Sequence, residues 1–398
     1  MTAPPLQGLR VLAVEQYGAG PWGSLYLADL GAEVIKIENP HDGGDTGRSV
    51  GPHFFAPGDS QFFHTFNRNK KSVALDLKHP EGMAAFRDLV KASDAVFDNL
   101  RGDVPGRIGL TYAHLQDVNP RIVCAHLSAY GRDGPRAAWP GYDYLMQAEA
   151  GYMTVTGEPD APPTKFGLSM VDLATGVTAA LALLAGVLAA RATGVGRDLD
   201  ASLFDTALHN LNYPATWYLN AGAVTGRQPR SAHPSLVPSQ LYTTRDGWLF
   251  IMCNKEKFWG LLVDLLGHPE WRDDVRFQDF KARLANRALV QELLDGVLAK
   301  EPTAHWLERL SGKVPVAPVF DIAQALESRY VAARRDLTDY TRADGPSVRM
   351  VENPIRTPGV DLPHRAGPAL GEDTDRVLAS VGYSPERIAQ LRAAGAIG

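Results

Sequence analysis

The stretch Leu9–Glu38, LRVLAVEQYGAGPWGSLYLADLGAEVIKIE, decides the fold of this 398-residue chain. It opens on a short apolar run, LRVLAVEQ, of strand length. PWGSLYLADLG then follows with helical character and stops at Gly31, the residue type that most readily closes a helix in left-handed backbone. EVIKIE is the next strand. The alternation continues with KSVALDL (strand), HPEGMAAFRDLVKAS (helix), DAVFDN (strand) and RIVCAHLSAY (strand). Strand–helix–strand units at this spacing imply a parallel sheet with helices on its faces, the α/β class.

Beyond residue 130 the spacing predicts long helices over 142–155 and 170–192. GRDLDASLFDTALHNLNYPATWYL reads as a strand followed by a helix. The texture changes at NAGAVTGRQPRSAHPSLVPSQ, where Pro, Gly and polar residues cluster as in a linker. LYTTRDGWLFIMCN then predicts a hairpin turning at Arg245-Asp246-Gly247. Helices over 255–267, 281–300 and 302–311 and the run VPVAPVF complete a smaller α+β domain. The tail is extended and Pro-rich, then helical. The expected division is 1–220 for the first part of the large domain, 221–325 for the small domain and 326–398 for a segment returning to the large one.

Composition is that of a globular enzyme: 45% hydrophobic, 21% charged, net charge −5. With no long basic block, nucleic acid is not an expected partner. Cys124 and Cys253 lie in apolar runs without metal-ligand spacing, as expected of reduced cysteines in a cytoplasmic protein, and no metal site is expected. The N-terminus lacks a basic region followed by an apolar core, so no signal peptide is read. Leu173–Ala190 is uncharged and just reaches membrane-span length. Its Ala, Gly and Thr content points instead to a buried helix that lets a neighbouring backbone approach closely, and no membrane partner is expected.

Four features carry chemistry. Gly18-Ala19-Gly20-Pro21-Trp22-Gly23, after a strand and before a helix, with Glu38 closing the next strand, outlines a dinucleotide fingerprint. Three residues between the strand core and Gly18, and Pro21 within the turn, depart from it. Asn69, Lys70, Lys71 and Lys78 flank a strand, where they are either a solvated basic edge or an anion site. Asn99 ends another strand with Arg107 beyond, a residue type that grips phosphate bidentately. Asp172 precedes the apolar run. With Ser169 it spells a capping box. At a helix N-terminus the backbone dipoles would also keep it ionised, as a carboxylate nucleophile requires. Spacing leaves cap and nucleophile both open.

Taken together, these segments resemble the family III coenzyme A transferases, the CaiB–BaiF family. The pieces that carry the resemblance are GLRVLAVEQYGAGPWGSLYLADLGAEVIKIE, FNRNKKSVALDLKHPEG, DAVFDNLRGDVPGRIGL, NPRIVCAHLSAYG, GYDYLMQAEAGYMTVTG, VDLATGVTAALALLAGVLAA, GVGRDLDASLFDTAL and the C-terminal GEDTDRVLASVGYSPERIAQLRAAGAI. They run in order over most of the chain. The resemblance implies an interlocked homodimer with a Rossmann-like large domain and a smaller domain. It implies Asp172 as the catalytic aspartate. Tyr17, Gly18, Leu75, Lys78, Asn99, Leu100, Arg107 and Tyr142 would be the residues around coenzyme A, which is a substrate and not a resident cofactor. Asn39 stands where some members carry a phosphate-binding Arg, so that contact would be either missing or supplied by Lys70, Lys71 or Arg48.

The activity so implied is transfer of coenzyme A from an acyl-CoA donor to a carboxylic acid, through an aspartyl anhydride and an aspartyl-CoA thioester. AHPSLVPSQ resembles the lid of members acting on succinyl-CoA and small dicarboxylates, with His233 and Ser235 as its polar groups. The alternative branch is the 2-methylacyl-CoA racemases and epimerases, which have His before Asp in GHD. Here the sequence is GYD, and Tyr142, with an ordinary pKa of about 10, is a poor base near pH 7.

Overall fold

The structure, a computed structural model, describes residues 3–342 and 345–398. The chain forms two compact units. The first comprises Met1–Ala150, Gly167–Leu211 and Arg335–Gly398, and the second Gly151–Phe166 and Asn212–Arg334. Asn212 (φ 52°) and Arg335 (φ 55°), where the chain changes unit, both take left-handed backbone.

The first unit is built on six parallel strands, in the spatial order Lys71–Ala74, Glu33–Glu38, Arg10–Val14, Ala95–Asp98, Val123–Ser128, Arg197–Ser202. Numbered along the chain this is 3-2-1-4-5-6, the doubly wound order. The inner strands read as continuous apolar runs because helices cover both faces. On one face Leu12, Ile35, Val73 and Val96 pack with Phe86 and Leu89 of the helix Pro80–Lys91. Leu378 and Leu391 of the C-terminal helices Thr374–Ala379 and Pro385–Ala393 join them. The tail is tied to the edge strand, since Asp373 N–H donates to Ser72 O at 2.9 Å and Ser72 N–H to Asp373 Oδ2 at 2.9 Å.

The opposite face carries the helices Ala19–Asp29 and Met170–Thr193. The second is 24 residues long, with a mean hydropathy of 2.1 over its most apolar 18 residues, so by length and composition it could cross a bilayer. Here it lies against the strands Val123–Ser128 and Arg197–Ser202 and against the first helix. Its glycines explain how. A Cβ on Gly186 would stand 2.8 Å from Val123 Cγ1, one on Gly176 2.4 Å from Ala19 O, and one on Gly23 2.3 Å from Gly176 O. The two helices therefore touch backbone to backbone, which brings their N-termini side by side.

The helix expected over 142–155 is two short ones, Asp143–Glu149 and Tyr152–Val155, divided at Gly151, whose φ is 87°. In the second unit an antiparallel sheet, Val316–Pro318, Trp248–Met252, Ser239–Thr243, packs on the helices Glu256–Leu266, Arg287–Leu298 and Thr303–Leu310. Its core includes Tyr242, Ile251, Trp259, Phe277, Leu294 and Trp306. The hairpin turns where expected, with Thr244 N–H donating to Gly247 O at 2.9 Å. The helix expected over 281–300 breaks at Asn286 into Phe280–Ala285 and Arg287–Leu298.

Candidate active site

In a 3-2-1-4-5-6 sheet the connections leave strands 1 and 4 in opposite directions, and a crevice opens at their carboxyl ends. Here those strands are Arg10–Val14 and Ala95–Asp98. Asn99 spans the crevice: Gln16 N–H donates to Asn99 Oδ1 at 2.9 Å and Asn99 Nδ2 to Gln16 O at 2.8 Å. Gly20 is small for this reason, since a Cβ there would meet Asn99 Cβ at 2.7 Å. Tyr17 takes a φ of 70°, a conformation costly for a bulky residue. Its N–H donates to Asp45 Oδ1 at 2.8 Å and its ring lies 5.2 Å from that of Phe62.

Asp172 lies in the first turn of the helix Met170–Thr193. The capping box read from Ser169 does not form, because Ser169 makes no side-chain cap. The cap comes from another helix: Asp172 N–H donates to Asp143 Oδ2 at 2.9 Å. Asp143 is buried and its other oxygen accepts from Gln147 Nε2 at 2.6 Å. Nor is Asp172 held firmly ionised by the helix terminus. Burial, and then the Asp143 charge, push its carboxyl up to about 7. Gly18 borders it, for a Cβ on Gly18 would stand 3.6 Å from Asp172 Oδ2.

A cleft of about 670 Å³ opens over these groups. Of the expected residues, Tyr17, Gly18, Asn99, Leu100, Tyr142 and Asp172 line it, together with Thr46, Arg101 and Trp139, which sequence reasoning missed. Leu75, Lys78 and Arg107 do not line it. Leu75 is 1% exposed and belongs to the core. Lys78 is exposed beyond the same strand, and Arg107 is exposed and pairs with Asp103 at 2.8 Å. Asp143 was missed as well, although GYD displays it. Its partner is 29 residues away, and nothing local marks the pair.

The cations proposed to replace a phosphate-binding Arg at Asn39 are engaged elsewhere. Lys70 is fully buried, with Nζ 2.7 Å from Glu15 Oε1, 2.9 Å from Pro21 O and 3.2 Å from Asn67 Oδ1. Burial brings its ammonium down to about 8. Lys36 adds contacts to Glu15 O and Asp45 Oδ2, both at 2.8 Å, so a buried ionic cluster underlies the Tyr17 turn. Lys71 pairs with Glu33, and Arg48 with Glu38 at 2.6 Å. Glu38, the acid of the apparent dinucleotide fingerprint, is thereby consumed. The glycines of that motif serve close packing: Gly20 against Asn99 and Gly23 against Gly176.

In the second unit, His233 Nδ1 accepts from the N–H groups of Ser235 and Leu236, both at 3.1 Å, which leaves the proton on Nε2. Nε2 lies 3.4 Å from Tyr213 Oη. Burial, reinforced by Arg287, lowers the imidazole pKa. Among the described residues, no cluster of three or more His, Cys, Asp or Glu is arranged to hold a metal ion.

The chain matches the family model of CoA-transferase family III over residues 6–374. It is 34% identical to a succinate–glutarate CoA-transferase of Agrobacterium fabrum, covering 95% of this chain and 96% of that protein. It is 36% identical to an acetyl-CoA:oxalate CoA-transferase of Acetobacter aceti, covering 92% and 93%. Among solved structures, a CaiB/BaiF family protein from Brucella suis is similar with a TM-score of 0.82 and 33% identity, over 96% of this chain and all of that one.

Proposed function

This chain belongs to family III of the CoA-transferases, and from that premise we propose that Asp172 is the nucleophile that carries coenzyme A between two carboxylic acids. The observation that carries this reading is the placement of Asp172. It is a largely buried carboxylate at the wall of the switch-point cleft, beside Gly18, with its basicity raised by burial and by Asp143.

Asp172 attacks the thioester carbonyl of the donor, the C–S bond breaks, and a mixed anhydride and CoA thiolate result. The thiolate attacks the aspartyl carbonyl, and the donor acid leaves as its carboxylate. The acceptor carboxylate then attacks the aspartyl-CoA thioester, giving a second anhydride and releasing thiolate. Attack of that thiolate on the acceptor carbonyl forms the new thioester and frees Asp172. Every intermediate is an activated acyl group, so the thioester's free energy is retained provided water stays out. A carboxyl with a pKa of about 7 is half ionised near neutrality and more basic than an exposed Asp. The start of the helix Ala19–Asp29, next to Gly18, supplies favourable dipoles for the oxyanions.

Tyr17, Gly18, Asn99, Leu100 and Tyr142 are proposed to hold the pantetheine end, and exposed Lys78 and Arg107 to reach the nucleotide phosphates. The names of the relatives support a small dicarboxylate as acceptor, glutarate in one and oxalate in the other; succinyl-CoA is the proposed donor, after the succinate–glutarate relative, whereas the oxalate relative is named for acetyl-CoA. A homodimer is proposed as well: Val177, Leu181 and Leu188 form an exposed apolar stripe on the long helix. A cytoplasmic site of action accords with two unpaired, buried cysteines.

The test is incubation with a panel of acyl-CoA donors, hydroxylamine trapping and peptide mass mapping. A hydroxamate at Asp172 is expected with succinyl-CoA. Modification elsewhere, or at no residue with any donor, overturns the mechanism. Light scattering of the purified protein decides the dimer.

A further inference from the structure

The strand Val123–Ser128 carries a histidine for which the proposed reaction has no use. His126 is 1% exposed, and its imidazole lies between two acids from the neighbouring strands. Nδ1 is 2.5 Å from Asp98 Oδ2 and Nε2 is 3.1 Å from Asp198 Oδ1. With an acid at each nitrogen, both nitrogens donate, so the ring is an imidazolium.

Each acid has a second task. Asp98 Oδ1 accepts the N–H of Leu100 at 3.2 Å, and Asp198 Oδ1 accepts the N–H of Tyr112 at 2.7 Å. These amides sit near the two ends of the segment 99–112. That segment carries Asn99 and Leu100 of the cleft wall and Arg107 on the short helix Val104–Ile108. One buried cation therefore ties together the two carboxylates that hold both ends of this segment to the sheet.

We propose that His126 is a positioning residue for the coenzyme A site, holding the segment 99–112 over the cleft through Asp98 and Asp198. The inference rests on reading the cleft as that site. Without the cation, two acids facing each other across a buried ring would repel, and the amides of Leu100 and Tyr112 would lose their anchors. The charged and titratable groups facing the ring are Asp98 on one neighbouring strand, Asp198 and Asp200 on the other, the Arg132 guanidinium 3.5 Å from Asp198 Oδ2, and the buried thiol of Cys124 on its own strand. Burial disfavours the charged ring, but Asp198 and Asp98 prevail and hold it up to about 9. It therefore stays charged through the neutral range.

The probe is desulfo-CoA, which has no thiol to titrate. For His126→Gln its Kd and the acyl-CoA KM are expected to rise about tenfold, as for a displaced binding element, while kcat and hydroxylamine trapping at Asp172 stay within about twofold, since the reacting carboxylate is untouched. A lowered Tm with unchanged Kd and KM would mark a purely structural histidine and overturn the proposal. Should the variant fail to fold, the wild type gives the answer. Its Kd is expected to rise as pH passes through about 9 together with the loss of the His126 imidazolium NMR signal, and a Kd that ignores that titration overturns the proposal. Wild-type protein that binds no desulfo-CoA at any pH would instead sink the underlying site assignment.

Discussion

The main-chain amide of Asp172 donates to Asp143 Oδ2 at 2.9 Å, so the acid that anchors the start of the long helix also raises the basicity of its neighbour. Anchoring and repulsion come from the same carboxylate, and substitution separates them. In Asp143→Asn the amide oxygen still accepts from Asp172 N–H, while the charge is gone. The acidic limb of the kcat/KM profile is expected to move below pH 7. Gln147 Nε2 would then face an NH2 group, at a cost of about 1 kcal/mol in stability. An unmoved limb would show that Asp143 does not tune the nucleophile. Asp143→Ala loses the anchor as well, about 1 kcal/mol in unfolding experiments.

Asp172 itself makes stability fall as pH rises. Its folded pKa, about 7, lies above the ordinary 3.8. The contribution is therefore fully present below pH 4 and is lost as pH climbs through 7, by at most about 4 kcal/mol. Asp172→Asn is expected to abolish transfer, to raise Tm at pH 8, and to flatten the pH dependence of Tm between 4 and 7. A variant less stable than wild type at pH 8 would return Asp172 to the role of a helix cap.

Gly23 and Gly176 permit the approach of two helices whose N-termini bear Gly18 and Asp172. A Cβ on Gly23 would sit 2.3 Å from a backbone oxygen that cannot swing away. Gly23→Ala and Gly176→Ala are each expected to cost about 1–3 kcal/mol in chemical denaturation and to lower kcat as the helices part. Gly296→Ala is the control. It lies within the helix Arg287–Leu298 with nothing near its absent Cβ, and should stabilise by about 1 kcal/mol.

Lys70 tests whether the basic edge is structural. Lys70→Met leaves Glu15 in the buried cluster short of one cation, at an expected cost of about 3 kcal/mol in denaturant titrations. The affinity of the folded fraction for coenzyme A should remain within about twofold. A large loss of affinity without loss of stability would mean that Lys70 reaches the ligand after all.

Much of the cleft wall was legible in Tyr17, Gly18, Asn99, Leu100, Tyr142 and Asp172, which lie close to strand ends or a helix start, whereas Leu75, Lys78 and Arg107 lie outside it. Lys70 and Asp143 were not legible. Lys70 looks solvated in FNRNKKS because burial leaves no mark on a single stretch of sequence. Asp143 gains its meaning only from an amide on another helix. The role of Glu38 was not legible for the same reason, since its partner Arg48 sits across a polar loop.

The sequence by itself determined the kinds and order of the elements. Strand runs, helix stops such as Gly31 and the small-residue stretch after Asp172 act through local backbone sterics and through the need to bury apolar faces. Tertiary structure alone decided which charges meet. It set Asp172 against Asp143, sealed Lys70 over Glu15, and placed His126 between Asp98 and Asp198. Protonation depends on burial and on charges a few ångströms away, and those distances exist only once residues far apart in the chain have packed together.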